Sequence, residues 1–366
     1  MSVGRMNILM LVPSYRKTDI EAAVQAGTHP MMDYDALEQS LLHDSGATVT
    51  FVDFSVLDDC QDWRVRLATA IAGKDVGLAV LAMLRYSATS DCIFSNSESV
   101  SIPFALLTRL RGKATRRPAH VTIAHRLSTK KKQLFFKTLA LHRELDHIFV
   151  YASIQYKIGI DVLGIPAGKL SHIQFHADTN FYREQEHVPE VPCRVSAAGL
   201  EWRDYHTLIA AAERLPGVEF RLAAASPWSK HANETDRKVL PANVTAQPYT
   251  YNALRELYAS SSIVAVPLYE TDFQAGITTL LEAMAMKKAI VVSRTSGQCD
   301  VIVDGKSGIY VDVGDVDGWI GVLERLISDS QLRDSLASNA QSWVQEHGSL
   351  RLWVVQISSV ILKFSS

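Results

Sequence analysis

The chain lacks most of the features that commit a sequence to an unusual class. Its four cysteines, Cys60, Cys92, Cys193 and Cys299, lie far apart in 366 residues and form no CxxC or Cys/His ligand spacing. This usage fits a reduced compartment where buried thiols act as small hydrophobes, and it excludes a disulfide scaffold. No apolar run approaches the roughly 20 residues of a spanning helix. The first apolar stretch, Asn7 to Val12, is too short for a signal-peptide core and ends at Pro13, so the expected location is the cytoplasm. Neither sign of charge dominates: 37 Lys and Arg against 39 Asp and Glu leave −2 at pH 7. There is thus no global attraction to nucleic acid or anionic lipid, and no nucleic-acid partner is expected. A P-loop is missing, and VPSYRK follows the first strand where a dinucleotide fold would place GxGxxG. Both absences disfavour a P-loop kinase or a nicotinamide-dependent oxidoreductase.

What is present is enough apolar material, 47% against 21% charged, to fill real cores. The length suits two domains. Short β-branched or apolar runs alternate with longer helical patterns. Strands are predicted at Asn7–Val12, Thr48–Phe54, Cys92–Phe94, His120–Ala124, His147–Tyr151 and Ser171–Phe175. Helices are predicted between them at Tyr34–His43, Trp63–Arg85, Val100–Leu110, Lys131–Glu144 and Ile154–Val162. The stretch Tyr182–Pro192, rich in Glu and Pro, reads as a linker. Alternation then restarts, with strands at Arg194–Ala198, Glu219–Ala224, Val244, Ile263–Pro267, Ala289–Ser293 and Ile309–Val311. Helices at His206–Arg214, Ala253–Ala259, Thr278–Met286 and Gly318–Ser328 separate these strands. Near-continuous apolar strands, each followed by a helix, argue for parallel sheets covered on both faces. The expectation is α/β, with two doubly wound domains at 1–182 and 193–345. A last segment, 346–366, is expected to return to the first. Ligands of such sheets bind beyond the carboxyl ends of the strands, which makes a cleft between the domains the default site.

The densest chemical signal is YETDFQAGITTLLEAMAMKKAIVVSRTSGQCDVIVDGKSG, from Tyr269 to Gly308. Gly276 permits a tight turn just before a helix that begins near Thr278. Free amides and the positive helix end there favour an anion such as a diphosphate. Thr278 and Thr279 offer hydroxyls in the first turn, and Glu282, one turn in, offers a carboxylate to ribose hydroxyls. A plain helix with Thr278 as N-cap and a solvated Glu282 is the competing interpretation.

This segment resembles the donor-binding signature of retaining GT-B glycosyltransferases of the large family 4, the glycosyl transferases of group 1. The signature runs acid, seven residues, acid, an Ala-Met-Ala helix, a strand, a glycine pair, and acid–Ile–Val–x–Asp–Gly. Glu282 stands as the second acid, Ser296–Gly297 replaces the glycine pair, and DVIVDG spans Asp300 to Gly305. Gln274 occupies the place of the first acid, with Glu270 and Asp272 just upstream as alternatives. VSAAGLEWRDYHTLIAAAERL resembles the opening of the family's second domain. Arg203 stands there for the usual Lys, and an Ala stands where a second basic clamp is usual.

The resemblance implies a GT-B fold, two Rossmann-like domains facing a central cleft. It also implies sugar transfer from a nucleoside diphosphate sugar, UDP-linked by family prior, with retention of configuration and no metal or other cofactor. Arg203 would clamp the diphosphate, and Gln274 would touch the sugar. Gly276, Ile277, Thr278 and Thr279 would bind the donor, and Glu282 its ribose. Pro248–Tyr249 fall where the base is held, so Tyr249 would stack on it. HVTIAHRL places His125 at a strand end beside the donor sugar, and Gly27 falls at the glycine loop near the phosphate. The acceptor, whether small molecule, glycan or lipid-linked, is not legible, nor is the oligomeric state. A sugar-nucleotide epimerase of the same fold and a non-catalytic nucleotide-sugar binder are the alternatives. Lys130–Lys137, basic with apolar interleaving, leaves two interpretations open. One is a peripheral contact with the inner membrane face. The other is an ordinary helix with Leu134, Phe135 and Leu141 in the core and its lysines solvated.

Overall fold

The structure, a computed structural model, describes residues 5–16, 20–111, 117–224 and 240–364. Two six-stranded parallel sheets organise it. The first comprises β1 (Asn7–Leu11), β2 (Thr48–Val52), β3 (Cys92–Ser95), β4 (Ala119–Ala124), β5 (His147–Val150) and β6 (Leu170–His172). Its order is β2-β1-β3-β4-β5-β6. The second comprises β7 (Arg194–Ala198), β8 (Glu219–Ala223), β9 (Val244–Gln247), β10 (Ile263–Val266), β11 (Ala289–Arg294) and β12 (Ile309–Asp312). Its order is β12-β11-β10-β7-β8-β9. The expected doubly wound α/β class is what the chain forms. All residues of CIFS in β3 and IVAV in β10 are buried, as strands covered on both faces must be.

Strand order reverses between β1 and β3 in one sheet and between β7 and β10 in the other. In the second sheet Ala197 of β7 pairs with Ala265 of β10, so their carboxyl ends emerge side by side. A crevice at such a switch point is where open α/β sheets hold ligands.

Contacts divide the chain into two compact units. One contains the residues ahead of 20, Met32–Ile173 and the chain from Trp353 onward; the other contains Ile20–Met31 and Gln174–Leu352. The final helix, Leu350–Leu362, buries Trp353, Ile357 and Ile361 at successive turns of one face. Trp353 Nε1 donates to Tyr151 Oη at 3.0 Å, which gives both buried polar atoms a partner. Among the described residues no helix is long and apolar enough to cross a membrane.

Several elements differ from the sequence expectation for local reasons. The helix predicted over Trp63–Arg85 is two, Trp63–Ala72 and Lys74–Arg85, because Gly73 takes φ 89° between them. The helix predicted over Lys131–Glu144 breaks into an α-turn at Lys130–Gln133, a π-turn at Leu134–Thr138 and a 3₁₀ turn at Leu141–Glu144. Ala140, left-handed at φ 48°, separates the last two pieces. Ser330–His347 forms an unanticipated helix, capped by Asp329 and packed through Leu336, Ala337, Ala340 and Val344. Two of those four are alanines, so the apolar stripe is faint in the sequence.

Candidate functional site

The site forms where β7 and β10 end. After β7 the chain turns through Gly199 at φ 94° and reaches Arg203, which folds back beneath the strand end. Arg203 Nε donates to the Ala198 carbonyl at 2.8 Å, Nη1 to the Glu201 carbonyl at 3.0 Å, and Nη2 to Thr279 Oγ1 at 3.2 Å. All three acceptors are neutral oxygens. The residue is 6% exposed, and loss of solvation pushes the guanidinium below its ordinary range. A buried cation hydrogen-bonded only to neutral oxygens is costly, and an anion held against it offsets that cost.

Two glycines allow this approach. A Cβ on Gly199 would lie 2.6 Å from Arg203 Nη2; one on Gly276 would lie 3.3 Å from Nη1 and 2.7 Å from Val266 Cγ1. Gly276, at φ 76°, is the N-cap of the helix Ile277–Ala285, which has no side-chain cap. The amides of Ile277, Thr278 and Thr279 therefore start a helix with neither an intrahelical nor a side-chain acceptor. Because the helix starts at Ile277, Thr278 lies inside the first turn and is not its cap. Ile277 and Thr279 are buried, whereas Thr278 is exposed.

Glu282 lies on the next turn. It is not on a solvated face: Tyr258 Oη donates to its Oε2 at 3.2 Å. The Tyr182 hydroxyl lies near the same carboxylate without completing a hydrogen bond of normal geometry. Part of the residue still reaches solvent although its carboxylate is densely surrounded. Burial drives its pKa up to about 7, against the opposing effects of the two tyrosines and Arg203. Thr279 Oγ1 donates in turn to the Ala198 carbonyl at 3.3 Å, so β7, Arg203 and the helix start form one polar assembly.

Gln274, 7% exposed, has no partner for either Oε1 or Nε2. Glu270, the alternative acid, is committed: its Oε1 accepts from Ser296 N at 2.9 Å and Ser296 Oγ at 2.6 Å. Gly297 explains the small residues of that loop, since a Cβ there would lie 2.2 Å from the Phe273 backbone nitrogen. Gln298 Nε2 then ties the loop to the Ala275 carbonyl at 3.0 Å. Tyr249 is half-buried against the core beneath the helix Ile277–Ala285. Gly27, at φ 68°, lies just past the helix Ile20–Gln25, and the neighbouring His29 ring meets Tyr251 at 4.4 Å.

His125 belongs to the other unit, at the carboxyl end of β4. It is exposed, and its backbone is held by Glu98, which accepts from His125 N at 2.9 Å and Arg126 N at 3.2 Å. Glu98 also pairs with Lys132. Burial would raise the Glu98 pKa, but the His125 and Lys132 charges and these donors outweigh it and hold the carboxyl below its ordinary range. Nε2 of His125 lies 3.2 Å from the Asn96 carbonyl, which can only accept, so the neutral ring carries its proton there and leaves Nδ1 as an acceptor. Thus the structure brings Arg203, Gly276, Ile277, Thr279 and Glu282 into one assembly, with Thr278 at its outer edge. Tyr258, Tyr182 and Glu98 were missed in the sequence. A tyrosine at an amphipathic helix end or in a linker, and a glutamate opening a helix, carry no pattern that separates them from ordinary packing residues.

Residues 193–343 match the family described as glycosyl transferases group 1. The D-inositol 3-phosphate glycosyltransferase of Nocardioides sp. is 33% identical over 93 residues, covering 25% of this chain and 20% of that protein. The lipopolysaccharide core biosynthesis glycosyltransferase LpsE of Rhizobium meliloti is 25% identical over 138 residues, covering 38% of this chain and 40% of that protein. The match therefore spans well under half the length of either relative. Among solved structures, a glycosyltransferase from Rickettsia africae superposes with a TM-score of 0.72 at 15% identity, covering 99% of each chain. Anabaena Alr3699/HepE, in complex with UDP and glucose, gives 0.70 at 16% identity and covers 97% of this chain and 99% of its own. Identity this low establishes fold alone, and the fold is GT-B.

Proposed function

We propose that the chain transfers a sugar from a nucleoside diphosphate sugar, UDP-linked, to an acceptor hydroxyl with retention of anomeric configuration. The observation that carries this proposal is the buried Arg203 guanidinium. It has only neutral acceptors and lies between Gly199 and Gly276, beside the uncapped start of the helix Ile277–Ala285. A departing diphosphate supplies the negative charge that these hydrogen-bond partners lack. The charge that develops on it as the glycosidic bond breaks is met by donors that need no reorganisation.

In this mechanism Arg203 and the amides of Ile277, Thr278 and Thr279 hold the diphosphate. Glu282 accepts from the ribose hydroxyls, and Tyr249 stacks on the base. Gln274 directs its unpartnered amide at the sugar, and Nδ1 of His125 accepts from a sugar hydroxyl. Gly27 gives the donor phosphate a close backbone approach. Retention implies attack on the face the leaving group vacates, through an oxocarbenium-like transition state. No metal is assigned a role. The names of the matched relatives support glycosyl transfer, and the UDP complex of Anabaena Alr3699/HepE supports this choice of donor.

The test is calorimetric titration with UDP, GDP and NAD, followed by UDP release from UDP-sugars when acceptors are offered. Binding of UDP that Arg203→Ala weakens, with acceptor-dependent UDP release, supports the proposal. Binding of NAD with no response to any diphosphate nucleotide overturns it.

A further inference from the structure

We propose that the face of the first unit carrying Lys130–Leu139 docks on an anionic lipid bilayer. Between Glu98 and Glu144 the sequence holds no aspartate or glutamate but eleven lysines and arginines, in a chain whose total charge is −2. The acids at the two ends of this run, with Asp146 just beyond, pair with three of its described cations. Glu98 takes Lys132, Glu144 takes Arg109, and Asp146 takes Arg117. Lys130, Lys131, Lys137 and Arg143 remain exposed, and no carboxylate among the described residues pairs with them.

The backbone places leucines among these cations. An unbroken helix would set Leu134 and Leu141 on one face, seven residues apart. The π-turn at Leu134–Thr138 and the left-handed Ala140 break that alignment. Phe136 and Leu141 enter the core at 1% and 0% exposure, while Leu134 is left 55% and Leu139 40% exposed. Arg109 donates to the carbonyls of Leu139 and Ala140, which ties this segment to the helix Glu98–Arg111. Exposed leucines set among unpaired lysines match the two terms of interfacial binding. The leucines enter the acyl boundary and the cations meet anionic headgroups. A solvated helix needs no exposed leucines, and a nucleic-acid groove gains nothing from them.

The experiment is sedimentation with vesicles of phosphatidylcholine alone or mixed with phosphatidylglycerol. Binding to the mixed vesicles alone is expected, and it should weaken with added salt. At about 1 kcal/mol per cation, Lys130→Gln, Lys131→Gln and Lys137→Gln together should lower partitioning by about a hundred-fold. Leu134→Ser with Leu139→Ser should lower it by about ten-fold. Trp63→Ser serves as a control: it removes a side chain 71% exposed on a different helix, behind Asp58, Asp59 and Asp62, and should change nothing. All these side chains are exposed, so unchanged melting temperatures should accompany the variants. Equal binding to both vesicle types, or a lysine triple variant that partitions like the parent, overturns the proposal. So does lysine-dependent capture of a single-stranded oligonucleotide by a protein that ignores vesicles.

Discussion

Replacing Glu282 by glutamine tests the enclosed carboxylate without any ligand. In the unfolded chain this carboxyl titrates at its ordinary 4.5; in the folded protein burial raises it to about 7. Its folded form therefore prefers the proton, and folding is favoured by low pH. The contribution is fully present below 4.5 and is lost progressively as the pH rises through 7. At about 1.4 kcal/mol per pH unit, the wild type should lose roughly 2–3 kcal/mol between about pH 5 and pH 8.5 through this group. Glu282→Gln keeps the shape and an acceptor for Tyr258 but cannot ionise. The stability of the variant minus that of the wild type should thus rise by that amount over the range, most steeply between about pH 5 and pH 7. Urea denaturation of both proteins across this range measures it, since every other titrating group cancels in the difference. A flat difference would refute the reasoning: the carboxylate would then be solvated, and the tyrosines would not enclose it. A nucleotide that supplies hydroxyls to the ionised form should also bind more tightly as the pH rises toward 8.

Other perturbations follow from the same geometry. Arg203→Ala should weaken UDP binding by about ten- to a hundred-fold, the loss expected for charge-assisted hydrogen bonds, while Arg203→Lys recovers part of it; equal calorimetric affinities in all three proteins would remove Arg203 from the site. Gly276→Ala forces alanine to φ 76° with its Cβ 2.7 Å from Val266 Cγ1; about 2–4 kcal/mol of stability should be lost in urea titrations, and a neutral result would mean the loop is free to relax. Trp353→Phe deprives the buried Tyr151 hydroxyl of its donor and should cost about 1–3 kcal/mol, whereas the same change with Tyr151→Phe should cost less than the sum of the two. Sugar transfer should proceed unchanged after treatment with a chelator; loss of turnover restored by a divalent cation would require a metal in the mechanism.

The strands were legible because a doubly covered strand has no polar face to hide, as IVAV in β10 illustrates. Gly276 was legible because a glycine after a strand and before a helix marks a backbone need that other residues meet poorly. The enclosure of Glu282 was not. It depends on Tyr182 and Tyr258, which lie far from it in sequence, and a glutamate in a helix reads the same with or without such neighbours. Leu134 was misplaced for a related reason. Helical periodicity assumes a uniform twist, and the left-handed Ala140 that interrupts it carries no glycine or proline to announce the break. The unpartnered amide of Gln274 is likewise a property of its surroundings and not of the residue.

The last helix also bears on how the molecule is made. The first unit is begun by β1 but completed only by the chain from Trp353 onward, whereas Gln174–Leu352 is contiguous apart from the short insertion of Ile20–Met31. On a ribosome, domains ordinarily fold from the amino terminus as they emerge. Here the apolar bed that receives Trp353, Ile357 and Ile361 must wait, uncovered, until all of Gln174–Leu352 has been synthesised. The unit that β1 begins is thus sealed only after the other has been made, so a chain interrupted ahead of Trp353 would leave an open core in the unit translated first.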